Sequence, residues 1–207
     1  RVTSVTVSGS YRNNVSIIDL TDGEFTDCVF TLAKGTSPHA GVDIEPNASP
    51  DTVRDVRFTR CAFTDNAGSG IAVVFGADAV QGPITFDACR ATGNTDGLIV
   101  SGTSALALTA CALDANKRFG LVVRPGRTSG LRLSGGSLSR NGQHGLYCRP
   151  GPYTPKGETA AIPSQVIHTR LDGVRVQDNG TTAPGTYSGL FFDAEPPIRT
   201  VPAVVDG

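Results

Sequence analysis

Three columns of repeated residues predict an all-β chain that coils into a solenoid. The first column is a glycine followed by alternating apolar residues. The second column is an apolar residue followed three positions later by a small residue, which is cysteine in four copies. The third column is an asparagine, five positions after that small residue. Because the three columns keep one register, they predict a right-handed parallel β-helix of about seven coils, each packed on its neighbours.

Composition and charge favour strands and turns within one domain. The 207 residues include 25 glycines and 13 prolines, which helices tolerate least, whereas valine, threonine, isoleucine and phenylalanine are spread evenly, as strands require. The length suits a single domain over residues 1–207. A formal net charge of −1 predicts no nucleic-acid partner, and no apolar run approaches the ~20 residues of a membrane-spanning helix.

The chain begins in the strand-like segment 1–7, without an initiator methionine or a recognisable signal peptide. We therefore expect it to be a fragment of a longer protein.

The glycine column predicts one strand in each coil. Counted from the glycine, the second and fourth residues point into the coil, and the third and fifth point out. The predicted inward pairs, all apolar, are Val42/Ile44, Ile71/Val73, Leu98/Val100, Leu121/Val123, Leu146/Cys148 and Leu190/Phe192. Residues 1–21 form a degenerate first copy, with Ile18 and Leu20 inward and Asp19 outward.

The cysteines of the second column predict a buried stack. They are Cys28, Cys61, Cys89 and Cys111. Since a free thiol behaves as a small apolar group, we expect the four to fill a narrow corner of the coil, with Cys148 elsewhere in the core. Disulfides between adjacent coils are sterically conceivable, whereas a linear stack lacks the tetrahedral convergence of a metal site.

The asparagine column predicts a turn between strands. Asparagine tolerates the left-handed conformation that turns use, and stacked side-chain amides can hydrogen-bond along the solenoid. The column contains Asn66, Asn94, Asn116, Asn141 and Asn179.

Three insertions interrupt the repeat, at residues 47–52, 150–166 and 180–188. Loops on a rigid scaffold often carry binding or catalytic residues. A proline-stiffened spacer without a functional role is the alternative for the longest of them.

Asp43 and Glu45 are the candidate catalytic residues, because no other copy places two acids on the outer face. Two positions apart on one strand, their Cα atoms are expected ~6.5–7 Å apart. Their carboxyl groups could then reach the ~6.5–9.5 Å of an inverting glycosidase, where one acts as acid and the other activates water. If Asp19 stacks beside Asp43, the crowded charges would raise one pKa or hold Ca²⁺. Alternatively, both acids are solvated or accept from turn amides.

Arg124 and Arg149 occupy one outward column in adjacent coils, with Asp193 next beyond them. Such a pair can bind the carboxylate of a uronate or the sulfate of a sugar. The alternative is a surface ladder in which Arg149 pairs with Asp193, which contributes little stability.

The neighbouring outward column ends in Tyr147 and Phe191, which could form the aromatic platform that sugar rings favour. His144 is a candidate substrate-binding residue or general base, although a turn histidine without a role fits equally well, and the same holds for His39. The apolar part of the outer face would instead suit a protein-interaction surface. It contains Ala72, Val74, Ile99 and Val122.

These columns resemble the pectate-lyase-like superfamily of right-handed parallel β-helices. The stretch 41–47, Gly-Val-Asp-Ile-Glu-Pro-Asn, and the coil with Phe58, Cys61, Phe63 and Asn66 look like segments of bacteriophage tailspikes and secreted β-helix proteins that act on polysaccharides. The resemblance spans nearly the whole chain. It implies carbohydrate recognition at an extracellular, secreted or virion surface, often by homotrimers, with the substrate along the outside of the coils.

Catalysis in this superfamily includes hydrolysis, β-elimination and uronate epimerisation. The Asp-Pro-His motif of the epimerases and the complete polygalacturonase set of Asn-Thr-Asp, Asp-Asp and Gly-His are missing, so no catalytic residue is carried over. We therefore predict a β-helix that hydrolyses or eliminates an acidic polysaccharide, with calcium as the one cofactor considered. The alternatives are a non-catalytic stalk or sugar-binding module, and an interaction surface within a larger assembly.

Overall fold

A computed structural model describes residues 1–46, 50–76, 79–148, 151–152, 165–192 and 204–206. The described residues contain strands and turns but no helix, and every strand pairing is parallel. The chain passes in turn through three long sheets, so that each strand pairs with its counterparts in the coils before and after it. This arrangement confirms the predicted right-handed parallel β-helix.

Sheet 1 has eight strands, sheet 2 has four and sheet 3 has seven. Sheet 1 comprises Val2–Thr3, Glu24–Thr26, Val56–Thr59, Ile84–Asp87, Leu106–Thr109, Arg132–Ser134, Arg170–Asp172 and Val204–Asp206. Sheet 2 comprises Thr6–Ser8, Val29–Thr31, Ala62–Thr64 and Arg90–Thr92. Sheet 3 comprises Val15–Ile17, Val42–Ile44, Ser69–Val74, Asp96–Ser101, Phe119–Val123, Leu146–Cys148 and Leu190–Phe192.

Two short sheets lie between sheet 3 and the next strand of sheet 1. One comprises Leu20–Thr21, Thr52–Arg54 and Val80–Gln81, and the other Arg127–Ser129 and Gln165–Ile167. No helix among the described residues is long and apolar enough to cross a membrane.

The predicted register of sheet 1 is confirmed. Phe25 pairs with Phe58, and Phe58 pairs with Phe86. Their rings stack inside the coil with centroids 4.6 and 4.7 Å apart, which matches the ~4.8 Å between adjacent strands. Leu108 and Leu133 continue the same column, so one line of large apolar side chains forms the core along the solenoid axis.

The cysteine column is confirmed as a stack of free, buried thiols. Each thiol of the stack lies 3.3–3.5 Å from the carbonyl oxygen two residues earlier, as Cys28 does with Thr26 at 3.3 Å. Cys148 is also free and buried, in the sheet 3 part of the core.

The asparagine ladder is confirmed, but the conformation predicted for its residues is wrong. Asn66 donates from Nδ2 to Oδ1 of Asn94 at 2.9 Å, and Asn94 donates to Asn116 at 3.2 Å. The left-handed backbone belongs to the residue before each asparagine, as at Asp65 (φ 55°) and Arg140 (φ 56°). That residue turns the chain between sheets 2 and 3, which leaves the asparagine side chain directed into the corner.

The register predicted for the first coil is wrong. The strand there is Val15–Ile17, and Ser16 rather than Asp19 lies beside Asp43. Ile17 is buried, whereas Ile18, predicted inward, is 36% exposed. This coil has no glycine at the start of its strand, so the sequence offered no marker for its register.

Phe192 was predicted to point inward but is 49% exposed. It belongs to the last strand of sheet 3, and no further strand among the described residues covers its side. In the 180–188 insertion, the Thr182 hydroxyl donates to the Gly142 carbonyl at 2.5 Å. Most of the other two insertions lies outside the described residues.

Candidate functional site

A groove of about 330 Å³ lies along the outer face of sheet 3. Its floor consists of outward residues from adjacent strands, because parallel in-register pairing places Asp43, Ala72 and Ile99 next to one another. It is lined by Ser37, Pro38, His39, Asp43, Glu45, Gly68, Ser69, Ala72, Val74, Thr95, Asp96, Ile99, Arg118 and Arg124. The groove therefore contains both predicted catalytic acids and one of the two predicted arginines.

Three of the four apolar outward residues predicted as an interaction surface are buried, and the fourth, Val74, is partly exposed, so they do not form an exposed patch. Ala72 is 5% exposed, Ile99 7% and Val122 5%. The segment 37–39 and the side chains of Arg118 and Arg124 line the same groove as Ala72 and Ile99. Residues that strand periodicity places on the outside are therefore covered by neighbouring segments.

Asp43 is buried at the bottom of the groove with 5% of its surface exposed. Its Oδ2 accepts a hydrogen bond from Nδ2 of Asn13 at 2.8 Å. The pKa of Asp43 is raised to about 6, mainly by burial and then by the nearby charge of Glu45, while the Asn13 hydrogen bond and the charge of Arg12 act in the opposite direction. A carboxylic acid with this pKa holds its proton in mildly acidic solution and can donate it there.

Asp19 lies away from this site. It is exposed, and its Oδ1 accepts from the backbone nitrogen of Thr52 at 3.2 Å. The three-carboxylate cluster on which the calcium hypothesis depended is therefore not formed. No group of three or more histidine, cysteine, aspartate or glutamate side chains suited to a metal ion occurs in the described part of the chain.

Asp96 and Arg118 form an ion pair in the groove that the sequence analysis did not identify. The Arg118 Nε and Nη2 atoms donate to the two carboxylate oxygens of Asp96 at 3.1 and 2.5 Å. The guanidinium carbon also lies 5.3 Å from the ring centroid of Phe119. Asp96 lies one position before Gly97, and Arg118 lies two positions before Gly120. Both glycines belong to the first column, so the residues that precede this column would have indicated the pair.

The predicted arginine column is only partly described. Arg124 is exposed and lines the groove, but Arg149 and Asp193 lie outside the described residues, so their predicted pairing stays a prediction. Arg118 is the second arginine that lines the groove. Its backbone lies three coils from Asp43 along the solenoid.

The aromatic residues form a ladder. The Tyr147 ring lies between Phe119 and Phe191, with centroids 4.7 and 5.4 Å away and ring planes 11° and 10° apart. Near-parallel rings at the spacing of the coils stack face to face, so most ring faces are covered by their neighbours. Covered ring faces make a poorer sugar platform than the one we predicted, and the predicted contact of Tyr147 and Phe191 with substrate stays a prediction.

His144 belongs to this ladder. It is 7% exposed, and its ring stacks 4.7 Å from Phe191 while Tyr187 packs on it edge to face at 5.1 Å. Its Nδ1 lies 3.0 Å from the backbone nitrogen and 3.1 Å from the carbonyl oxygen of Ser188. Burial lowers the pKa of His144. These contacts give His144 a packing role, and its predicted contact with substrate stays a prediction.

His39 lies at the acidic end of the groove. Its Nε2 is 2.8 Å from the Gly35 carbonyl oxygen, a contact that fixes the ring when Nε2 carries the proton.

Comparison with known proteins supports the fold. A family model described as "Right handed beta helix region" matches residues 1–152, which include the groove and most of the coils. No curated protein and no solved structure matched the chain. The repeat, the in-register parallel sheets and the family match lead to one conclusion: this chain belongs to the right-handed β-helix family.

Proposed function

We propose that the groove on sheet 3 binds an acidic polysaccharide and hydrolyses a glycosidic bond at Asp43 and Glu45. The observation that carries this proposal is Asp43 itself. This carboxyl group is buried against a groove, with a second carboxyl two positions further on, just past the end of the strand, and its pKa is near 6. Environments that separate the proton affinities of two neighbouring carboxyl groups are how glycosidases assign an acid and a base.

The proposed reaction follows from those two environments. Asp43 donates its proton to the glycosidic oxygen as the bond from that oxygen to the anomeric carbon breaks. Glu45, which is less buried, removes a proton from a water molecule whose oxygen attacks the anomeric carbon. The products are two shorter chains with one new reducing end. Asp43 leaves the cycle ionised and Glu45 protonated, so a proton returns between them through water.

The substrate class follows from the opposite end of the groove. Arg118 and Arg124 line it. Their backbones lie about three coils or ~14 Å from Asp43, and the Arg118 guanidinium reaches back to Asp96, about two coils or ~10 Å from Asp43. Guanidinium groups bind carboxylates and sulfates in preference to neutral hydroxyl groups. The substrate we propose therefore carries an acidic group more than one sugar ring away from the bond that is cleaved.

A non-catalytic sugar-binding module is the second candidate, and the depth of Asp43 favours it. An acid that is 95% covered can reach a glycosidic oxygen only where the sugar fits closely against the groove floor. In this case Arg118, Arg124 and the Tyr147 hydroxyl would account for binding.

Right-handed β-helix regions occur in polysaccharide-acting enzymes and in other proteins. Long acidic polysaccharides are met outside cells, so we also propose an extracellular or virion-surface location. Assembly into homotrimers is a separate proposal, which light scattering would test.

The experiment is a panel of acidic polysaccharides with two product assays. New reducing ends report hydrolysis or elimination, and ultraviolet absorbance of unsaturated sugars reports elimination alone. The wild type is compared with Asp43→Asn and Glu45→Gln. We expect the wild type to form new reducing ends without unsaturated sugars, and we expect both variants to form neither. Binding without any product, lost in Arg118→Ala, would favour the binding module, and activity that survives in both acid variants would exclude the proposed mechanism.

A further inference from the structure

Asn13 contacts Asp43 from the preceding coil, and its amide orientation is fixed by a second contact. The Oδ1 of Asn13 accepts from the backbone nitrogen of Ala40 at 3.0 Å. The Nδ2 must then point the other way, where it donates to Oδ2 of Asp43 at 2.8 Å and to Oγ of Ser16 at 3.1 Å. An amide that accepts from a backbone N–H at one end can only donate at the other.

This contact distinguishes the two oxygens of Asp43. In a neutral carboxyl group the unprotonated carbonyl oxygen is a better acceptor than the hydroxyl oxygen, so the donor held at Oδ2 favours the proton on the other oxygen. Among the described residues, no hydrogen bond engages Oδ1 of Asp43, and Asp43 lines the groove. The proton of a neutral Asp43 therefore belongs on Oδ1.

We propose that Asn13 is a positioning residue for Asp43: it holds Oδ2, so that Oδ1 carries the proton that is transferred to substrate. The proposal rests on the proposed function for the transfer itself, but the assignment of the oxygens rests only on the geometry of Asn13, Ala40 and Asp43. Asn13 does not line the groove, and its action passes through its hydrogen bond to Asp43.

The other charged groups around Asp43 do not replace this contact. Glu45 lies two positions further on, just past the end of the strand, and Arg12 lies next to Asn13 in the preceding coil and acts on Asp43 through its charge. His39 lines the groove, but its Nε2 contacts Gly35. Only Asn13 among the described residues forms a side-chain hydrogen bond to Asp43.

The test measures the Asp43 carboxyl by carbon NMR over a pH titration in the intact chain. In Asn13→Asp, one carboxylate oxygen can still accept from the Ala40 backbone nitrogen, while the other, negatively charged, replaces the amide nitrogen that donated to Asp43. In Asn13→Ala, both contacts are lost. Since a donor to the carboxylate favours its charged form, we expect the Asp43 pKa to rise by about one unit in Asn13→Ala and by more in Asn13→Asp. Ser16→Ala, which leaves the Asn13–Asp43 bond intact, is the matched control and should leave that pKa unchanged.

The second readout is the pH dependence of hydrolysis. If Asn13 positions Asp43, the basic limb of the rate profile moves to higher pH in step with the NMR titration, and the rate at the optimum falls. An unchanged Asp43 titration in both folded Asn13 variants would overturn the proposal. A shifted titration in a chain that hydrolyses no polysaccharide would support the Asn13 contact while rejecting the proposed function.

Discussion

Arg118 holds Asp96 with two parallel hydrogen bonds, although Asp96 is 2% exposed and the Arg118 side chain is 46% exposed. The carboxylate is thus buried in the groove wall, and Arg118, its one ion-pair partner within the described part of the chain, reaches it from the solvent side. Because a buried carboxylate needs such a partner, the pair sets both the shape and the charge of the basic end of the groove.

Replacing Arg118 is expected to destabilise the fold. In Arg118→Met, Asp96 keeps its burial but loses both donors, so we expect a loss of about 2 kcal/mol in the free energy of unfolding, measured by denaturant titration. The double variant Arg118→Met/Asp96→Asn removes the orphaned charge and should recover part of that loss. Two single losses that simply add in the double variant would show that the pair is not coupled.

Asparagine 94 is expected to be among the most sensitive polar positions. It is 0% exposed, and its Oδ1 accepts from both the backbone nitrogen and Nδ2 of Asn66 at 2.9 Å. Asn94→Ala leaves the buried Asn66 backbone N–H without a partner and leaves its Nδ2 with only the Phe30 carbonyl at 3.2 Å, so we predict a loss of about 3 kcal/mol by denaturant titration. Thr64→Ala is the control, since it removes a single partly buried contact to Thr31, and an equal loss in both variants would contradict the importance of the ladder.

The thiols are expected to be unreactive in the folded protein. All five cysteines are free and buried. Burial raises the pKa of Cys148 to about 11, whereas the hydrogen bond with Cys89 lowers the pKa of Cys111, so the reactivity of Cys111 is limited by its burial and not by its pKa. A chromogenic thiol reagent should label almost none natively and five per chain in denaturant. Rapid native labelling, or fewer than five thiols in denaturant without reductant, would contradict the buried free stack.

Asp43 is expected to reduce stability as pH rises. The pKa of Asp43 is raised from 3.8 to about 6 in the folded protein. Relative to an ionised Asp43, the protonated side chain therefore stabilises the fold fully below the unfolded-state pKa, and this stabilisation is lost as pH rises through 6. Asp43→Asn keeps the acceptor for Asn13 but cannot ionise. Its stability relative to wild type should therefore grow between pH 4 and pH 7, by up to about 3 kcal/mol. A pH-independent difference would show that Asp43 titrates normally.

The sequence predicted the fold well because the repeat samples the same physical environment in successive coils. The line from Phe25 to Leu133 and the ladder from Asn66 to Asn179 were visible as columns, and each pairs as predicted. The first coil failed because it has no glycine marker, so nothing in the sequence set Ser16 rather than Asp19 beside Asp43.

The site was predicted only in part, because strand alternation reports direction but not coverage. It placed Asp43, Ala72 and Ile99 on the outside, yet all three are buried under their surroundings. Contacts between coils, such as those of Asn13 with Asp43 and Arg118 with Asp96, join residues 30 and 22 positions apart. These contacts depend on how the turns of neighbouring coils align, and no repeated residue in the sequence indicates that alignment.

The pH dependence of hydrolysis, measured on the preferred polysaccharide for wild type and Asp43→Asn, tests the central claim most directly. If Asp43 is the general acid, the wild-type kcat falls as pH rises through about 6, and Asp43→Asn loses ~10²–10⁴-fold in kcat with no limb in that range. A variant that keeps the wild-type rate and the same basic limb would contradict the assignment of Asp43 and the catalytic role of the groove.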